Sequence, residues 1–158
     1  MMIKIFTFLS AVLILLLLGC NENSSINDSG DLLSDNIIIT DNVNVKLKND
    51  YLKVLEQYVS GDYLILKVQY SGGCKEHEIK VYTTGAILKT NPPQAELFIS
   101  HNADNDSCEA LITKELKINL IELKIFYKTN FNRIQIILLR IYEPNSINPV
   151  LPLLEYRI

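Results

Sequence analysis

The chain has 158 residues, a formal net charge of −3, 48% hydrophobic residues and no tryptophan. That length suits one domain with a tail and a genuine core, not two domains. A mildly acidic balance without a basic stripe argues against nucleic acid as a partner.

The chain opens on Met1–Lys4, which carries one positive charge, followed by an apolar run from Ile5 to Leu18 broken only by Thr7 and Ser10. The run stops at Gly19-Cys20 and the sequence turns abruptly polar. This pattern predicts a secretory signal over residues 1–19. A plain membrane anchor is the alternative, and the short run with its Gly-Cys stop speaks against it.

At this point Leu17-Leu18-Gly19-Cys20 resembles the lipobox of bacterial lipoproteins. The resemblance implies a diacylglyceryl group on the Cys20 thiol, cleavage after Gly19 and acylation of the new amine. The membrane would then be a partner through that lipid, since each buried methylene contributes ~0.8 kcal/mol. Asn21 is not the aspartate that retains many enterobacterial lipoproteins in the inner membrane, so the expected location is the cell envelope, lipid-anchored at the outer membrane. Losing residues 1–19 removes the single charge of Lys4 and takes the net charge from −3 to −4.

Asparagine, serine, aspartate and glycine dominate from Asn21 to Asn36. Residues 20–36 therefore read as a lipidated N-terminus and flexible tether, and 37–158 as a single domain.

From there the period is two. Val43, Val45 and Leu47 alternate with polar residues and predict a first strand. Asn49-Asp50 marks a turn, and Tyr51–Val59 suits a strand better than a helix. Ser60-Gly61-Asp62 is a hairpin connection into Tyr63–Tyr70, where Leu64, Leu66, Val68 and Tyr70 share a face. Gly72-Gly73 breaks that strand. Ile79, Val81 and Thr83 define the next, and Asn91-Pro92-Pro93 excludes a regular ladder. Ala95, Leu97 and Ile99 follow, then a polar loop over Asn102–Ser107. Ala110 and Ile112 resume the alternation, which runs to Leu120 and shifts phase through Ile121, Leu123 and Ile125, predicting a bulge or corner. Ile134–Ile141 reads as a strand buried on both faces or nearly so. Leu154, Tyr156 and Ile158 predict a closing strand.

Roughly seven to nine short strands of this kind predict an all-β fold, an antiparallel β-sandwich, with an immunoglobulin-like arrangement preferred over a barrel. The absence of tryptophan removes the antibody-type Cys-Trp-Cys hallmark.

The chain has three cysteines. With Cys20 assigned to lipid by the resemblance, Cys74 and Cys108 remain in an exported chain, where disulfides persist. Only one intramolecular pairing is open to them, worth about 3–4 kcal/mol by loop closure. Side-chain phase places Cys74, His77, His101 and Cys108 on inward faces, at one end of the sandwich. The preferred reading is a Cys74–Cys108 disulfide flanked by two hydrogen-bonded histidines. The alternative is a zinc site of Cys74, His77, His101 and Cys108, the ligand types zinc prefers, although the spacing from His101 to Cys108 is no standard knuckle. The loop Asp104-Asn105-Asp106 with Glu109 offers oxygen donors for calcium but lacks the glycine and ligand series of an EF-hand loop, and a solvated turn is the preferred reading.

Glu76-His77-Glu78 invites an acid–base reading, yet Ser71 and Ser107 stand in turns without a nucleophile elbow. No enzyme and no cofactor are expected. Gly72-Gly73-Cys74, Glu76-His77, Pro92-Pro93, His101, Asp106 and Cys108-Glu109 together resemble a pattern of small exported bacterial proteins of no assigned activity. The expected role is binding or structural, with a protein or glycan partner that no motif specifies.

Overall fold

Most of the strands follow from alternation. The computed structural model describes residues 34–158, so the signal segment, Cys20 and residues 21–33 of the expected tether lie outside the described residues. The strands are β1 (Ser34–Asn36), β2 (Ile38–Ile39), β3 (Lys53–Ser60), β4 (Tyr63–Gly72), β5 (Glu78–Thr83), β6 (Ile87–Leu88), β7 (Gln94–Asn102), β8 (Ala110–Asn119), β9 (Ile136–Tyr142) and β10 (Leu154–Arg157). Two helices interrupt them, α1 (Val43–Lys46) and α2 (Ile121–Asn130).

One sheet has the order β1-β8-β4-β3, and the other β10-β9-β7-β5-β2 with β6 paired to β7. The pairings are mostly antiparallel. The exceptions are β1 on β8, β2 on β5 and β7 on β9, which run parallel. The β3–β4 hairpin closes on Gly61-Asp62, with Ser60 opposite Tyr63, and Gly61 takes the positive φ of 59° that such a turn needs. The β4–β8 ladder runs unbroken from Tyr63 opposite Asn119 to Gly72 opposite Ala110.

Both sheets contribute to one core, so the molecule is an all-β, mostly antiparallel sandwich. Leu64, Leu66 and Val68 of β4 share a cluster with Leu97 and Ile99 of β7 and with Ile137, Leu139 and Ile141 of β9. These side chains are buried, and each fully buried aliphatic contributes about 1.5–3 kcal/mol. On β9 the alternate residues Ile136, Leu138 and Arg140 are half-buried, because only one face looks into the sandwich.

Two segments differ from the sequence expectation. Val43–Leu47 is a helical turn, not a strand: Leu47 N–H donates to Val43 O at 3.2 Å, Val43 is buried and Val45 is 81% exposed. Alternation over five residues is too short to choose a period when only Val43 reaches the core. The phase shift at Leu120 is the start of α2, not a bulge. Leu120, Leu123 and Tyr127 are buried at helical spacing, whereas Ile125 is 52% exposed. Ser34–Asn36, which fell inside the expected tether, pairs with Lys117–Asn119 as β1.

Candidate functional site

Four segments converge at one end of the sandwich: the loop after β4, the end of β7, the loop over residues 103–109 and the segment Lys48–Leu52. The last is held alongside β7 because His101 N–H donates to Lys48 O at 2.9 Å and Asp50 N–H to His101 O at 3.1 Å. Asp50 carboxylate also accepts from Ala103 N–H, at 2.6 Å.

Asp106 is the hub. Its Oδ2 accepts from the backbone N–H groups of Gly73 and Cys74, both at 2.9 Å, and of Lys75 at 3.0 Å. Its Oδ1 accepts from Cys108 N–H at 2.9 Å, an Asx turn. His77 Nε2 lies 3.2 Å from Oδ2, and both side chains are only 1% exposed. The Cys108 N–H, then those of Cys74 and Lys75 and the His77 ring, hold this carboxyl well below the usual carboxylate range.

The two histidines continue the chain of contacts. His77 Nδ1 is 2.8 Å from His101 Nε2, and His101 Nδ1 faces Tyr51 O at 2.9 Å and Asp50 O at 3.3 Å. Tyr70 stacks on His77 with 4.7 Å between ring centroids and tilts against His101 at 5.0 Å. Burial holds the His101 imidazole below its ordinary value. Carbonyls and a carboxylate only accept, so His101 Nδ1 and His77 Nε2 are the donors in their contacts with Tyr51 O and Asp106 Oδ2.

The cluster is closed from outside by the disulfide between Cys74 and Cys108, whose Cα atoms are 5.9 Å apart. Gly72 allows the close packing: a Cβ there would lie 2.6 Å from the His77 ring and 3.0 Å from Asp106 Oδ2. Lys75 Nζ reaches across the rim to Asp104 O at 2.6 Å.

The expected gathering of Cys74, His77, His101 and Cys108 at one end is what the structure shows. Their orientation differs in part. The histidine rings are buried, but Cys74 is exposed and Cys108 half-buried, because the disulfide lies over the end of the sandwich. With the sulfurs bonded to each other, neither is a thiolate, so the zinc arrangement would require the reduced protein. The calcium reading fails on Asp106, whose oxygens are filled by N–H donors, while Asp104 and Glu109 are exposed. All four imidazole nitrogens face a partner, and Ser71 and Ser107 are exposed without contact to either ring. The central role of Asp106 was not foreseen, nor were those of Tyr70 and Gly72. An aspartate two residues before Cys108, in a loop, was the one available signal of an Asx turn.

Comparison with known proteins places this architecture. Residues 36–139 match the family described as NigD-like C-terminal beta sandwich domain. A NigD-like immunity protein from Bacteroides caccae is similar in structure, with a TM-score of 0.56 and 17% identity over 80% of this chain and 59% of that one. A protein described as toxin related, from Parabacteroides distasonis, has a TM-score of 0.54 and 16% identity over 78% of this chain and 61% of that one. One from Bacteroides fragilis described as a lipoprotein has a TM-score of 0.51 and 10% identity over 78% of this chain and 70% of that one. At such identities the likeness is one of fold alone, and the chain covers less than two thirds of the length of the first two. No curated protein matches the sequence. The family match takes in more than half of the chain and both sheets of the sandwich, and the protein belongs to the NigD-like C-terminal β-sandwich family.

Proposed function

We propose that the chain is a lipid-anchored protein of the bacterial envelope whose sandwich binds a protein partner, as an immunity protein does. The observation that carries this is the NigD-like match over residues 36–139. The kind of partner is suggested by two neighbours, one described as an immunity protein and one as toxin related. The family is typically non-catalytic, which supports a binding role over an enzymatic one. The histidine cluster supports a scaffolding role. It spends its donors and acceptors on holding two loops together and leaves none to activate a substrate.

Anchoring rests on Leu17-Leu18-Gly19-Cys20, with residues 1–19 as signal and Cys20 as the lipidated residue. The outer membrane is the proposed location. No helix among the described residues is long and apolar enough to cross a membrane. The immunoglobulin-like comparison is likewise a proposal. The split of the seven longer strands into β3, β4 and β8 against β5, β7, β9 and β10 supports it, and the parallel β7–β9 pair departs from it.

Protection is the test. Bacteroides cells that a neighbouring strain kills by secretion are grown beside it with and without this chain, and with its Cys20→Ala form. Survival that requires the chain, and that falls when Cys20→Ala abolishes labelled palmitate, supports both halves. Equal killing with and without the chain removes the immunity reading, and palmitate on the Cys20→Ala form removes the anchor.

A second reading has one observation behind it. The Sγ atoms of Cys74 and Cys108 and a carboxylate oxygen of Asp106 lie within 4.8 Å of one another. If the disulfide were opened, the two freed thiolates could join His77 and His101 in holding zinc. Zinc bound to the reduced chain at one equivalent would support that reading, and zinc bound no better after reduction would dismiss it.

A further inference from the structure

The edges of the two sheets are unequal. β2 and β10 end the second sheet with two and four residues; in the first sheet, among the described residues, β1 pairs with β8 only at Lys117–Asn119, and β3 forms the other edge with eight residues. Short edges resist pairing with another chain, and a long one invites it. The two-residue hairpin turn makes Ser60 and Tyr63 a hydrogen-bonded pair. Counting back along the ladder, the backbone groups of Gln57 and Val59 point away from β4. No side chain, turn or loop among the described residues bonds them. Nearer the start of β3 the edge is closed: Val54 N–H donates to Glu143 Oε1 at 2.7 Å, and the register shifts between Val54 and Glu56.

A trough runs along this edge. One hollow of about 770 Å³ lies between β3 and residues 146–152, on the scale of ligand clefts. A second, separate hollow of about 370 Å³ is lined by Val59, Gly61, Asp62, Lys124, Glu155 and Arg157. Exposed apolar side chains stand among polar ones along the first: Leu55 is 44% exposed, Tyr58 49% and Leu151 74%. The charges that line the two hollows are already paired within the fold, Lys53 with Glu143, Glu56 with Lys67, Asp62 with Lys124 and Glu155 with Arg157. Gln57 lies in the wall of the first. The amide orientation is set because Nε2 donates to Val150 O at 3.2 Å and Pro152 O at 2.7 Å, and Oε1 is left buried without a donor.

We infer that the Gln57–Ser60 edge of β3 and the trough beside it take an extended, uncharged polypeptide strand of a partner protein, which continues the first sheet. Outward N–H and C=O groups at alternate positions match the backbone of an extended chain. Paired lining charges ask no charge of the occupant, and the exposed leucines and tyrosine accept apolar side chains at alternate positions. The inference rests on the partner-binding reading above and adds the surface and the mode.

The test is selection of a displayed library of random linear peptides on the full chain. Enriched sequences should be free of charge in their centre and alternate apolar with polar residues. Amide exchange at Gln57 and Val59 should slow when a synthetic enriched peptide is added. Val59→Pro deletes an outward N–H, a change edge strands tolerate, and should weaken binding about tenfold or more. Should that variant misfold, the same peptide methylated on its backbone nitrogens should lose binding to the unaltered chain. Peptides that protect other amides and bind Val59→Pro equally overturn the edge while leaving the partner-binding reading to the protection assay. A selection that enriches nothing also overturns it. Self-association that Val59→Pro abolishes would assign the edge to a second copy of this chain and reject the partner strand.

Discussion

Tyr127 and Tyr156 are both buried, and only one has a partner for its hydroxyl. Tyr156 OH donates to Asp62 Oδ1 at 3.0 Å, whereas Tyr127 OH has no hydrogen-bond partner among the described residues. Desolvation pushes both phenols well above their ordinary range. A buried donor without an acceptor forfeits its hydration, so removing it is neutral or favourable. Tyr127→Phe is expected to leave stability unchanged or raise it by up to about 1 kcal/mol, and Tyr156→Phe to lower it by about 1 kcal/mol. Urea denaturation of the two variants decides this, and a larger loss in Tyr127→Phe would reveal a partner for its hydroxyl. Acid should also act at this scale. His101 faces His77, the carbonyls of Asp50 and Tyr51, and the Tyr70 ring, and its imidazole lies below the ordinary 6.5, chiefly by burial. The unfolded chain therefore takes up that proton first, and stability falls as pH drops through that value. Asp106 is held below the ordinary 3.8, so its contribution is complete above that value and is lost only at lower pH. Calorimetry should show a melting temperature that declines in two stages on acidification. A melting temperature that rises between neutral and mildly acid pH would contradict the burial of a neutral His101.

The α2 segment shows where reading by period fails. Ile121, Leu123 and Ile125 alternate over five residues as a strand would, and Leu120, Leu123 and Tyr127 recur as a helix would. A window of that size satisfies both, and burial against the core decides. The helix puts Leu123 at 0% exposure and leaves Ile125 at 52%. Leu123→Ala is therefore expected to cost about 2–5 kcal/mol, and Ile125→Ala to stay within about 0.5 kcal/mol. Equal losses at both positions would mean that this segment is a strand with alternate burial after all. Longer alternations left no such choice. In β4 and β7 four or more residues hold one phase, and Leu64, Leu66, Val68, Ala95, Leu97 and Ile99 all lie buried as that phase requires. The site was partly legible for the same reason. His101 continues the phase of Leu97 and Ile99, and His77 that of Ile79 and Val81, so strand geometry carries both rings to one end. Asp106 sits in a loop with no phase to follow, and nothing in its neighbours announces that four backbone N–H groups will converge on it.

Across the whole sandwich, paired strands come from distant parts of the chain, as with Ser34 opposite Lys117 and Gln94 opposite Leu138. Each such pair must close a long loop before its contacts form, which makes folding slow and loop closure the dominant cost. The β4–β8 ladder is the longest, and its far end sets Gly72 opposite Ala110. Cys74 and Cys108 lie just past that end, 34 residues apart in sequence. Their bond removes from the unfolded state the same freedom that the ladder must give up in order to start. On loop entropy the cross-link is worth about 4 kcal/mol. Replacing both cysteines by serine should lower stability by roughly that amount. The loss should fall mainly on the refolding rate, because the closure comes before the ladder, and leave unfolding nearly unchanged. Stopped-flow refolding and unfolding of the two forms separates the cases. If unfolding quickens and refolding holds, the disulfide acts late: it then secures the Asp106 hub and the histidine pair in the finished fold, and the ladder starts without it.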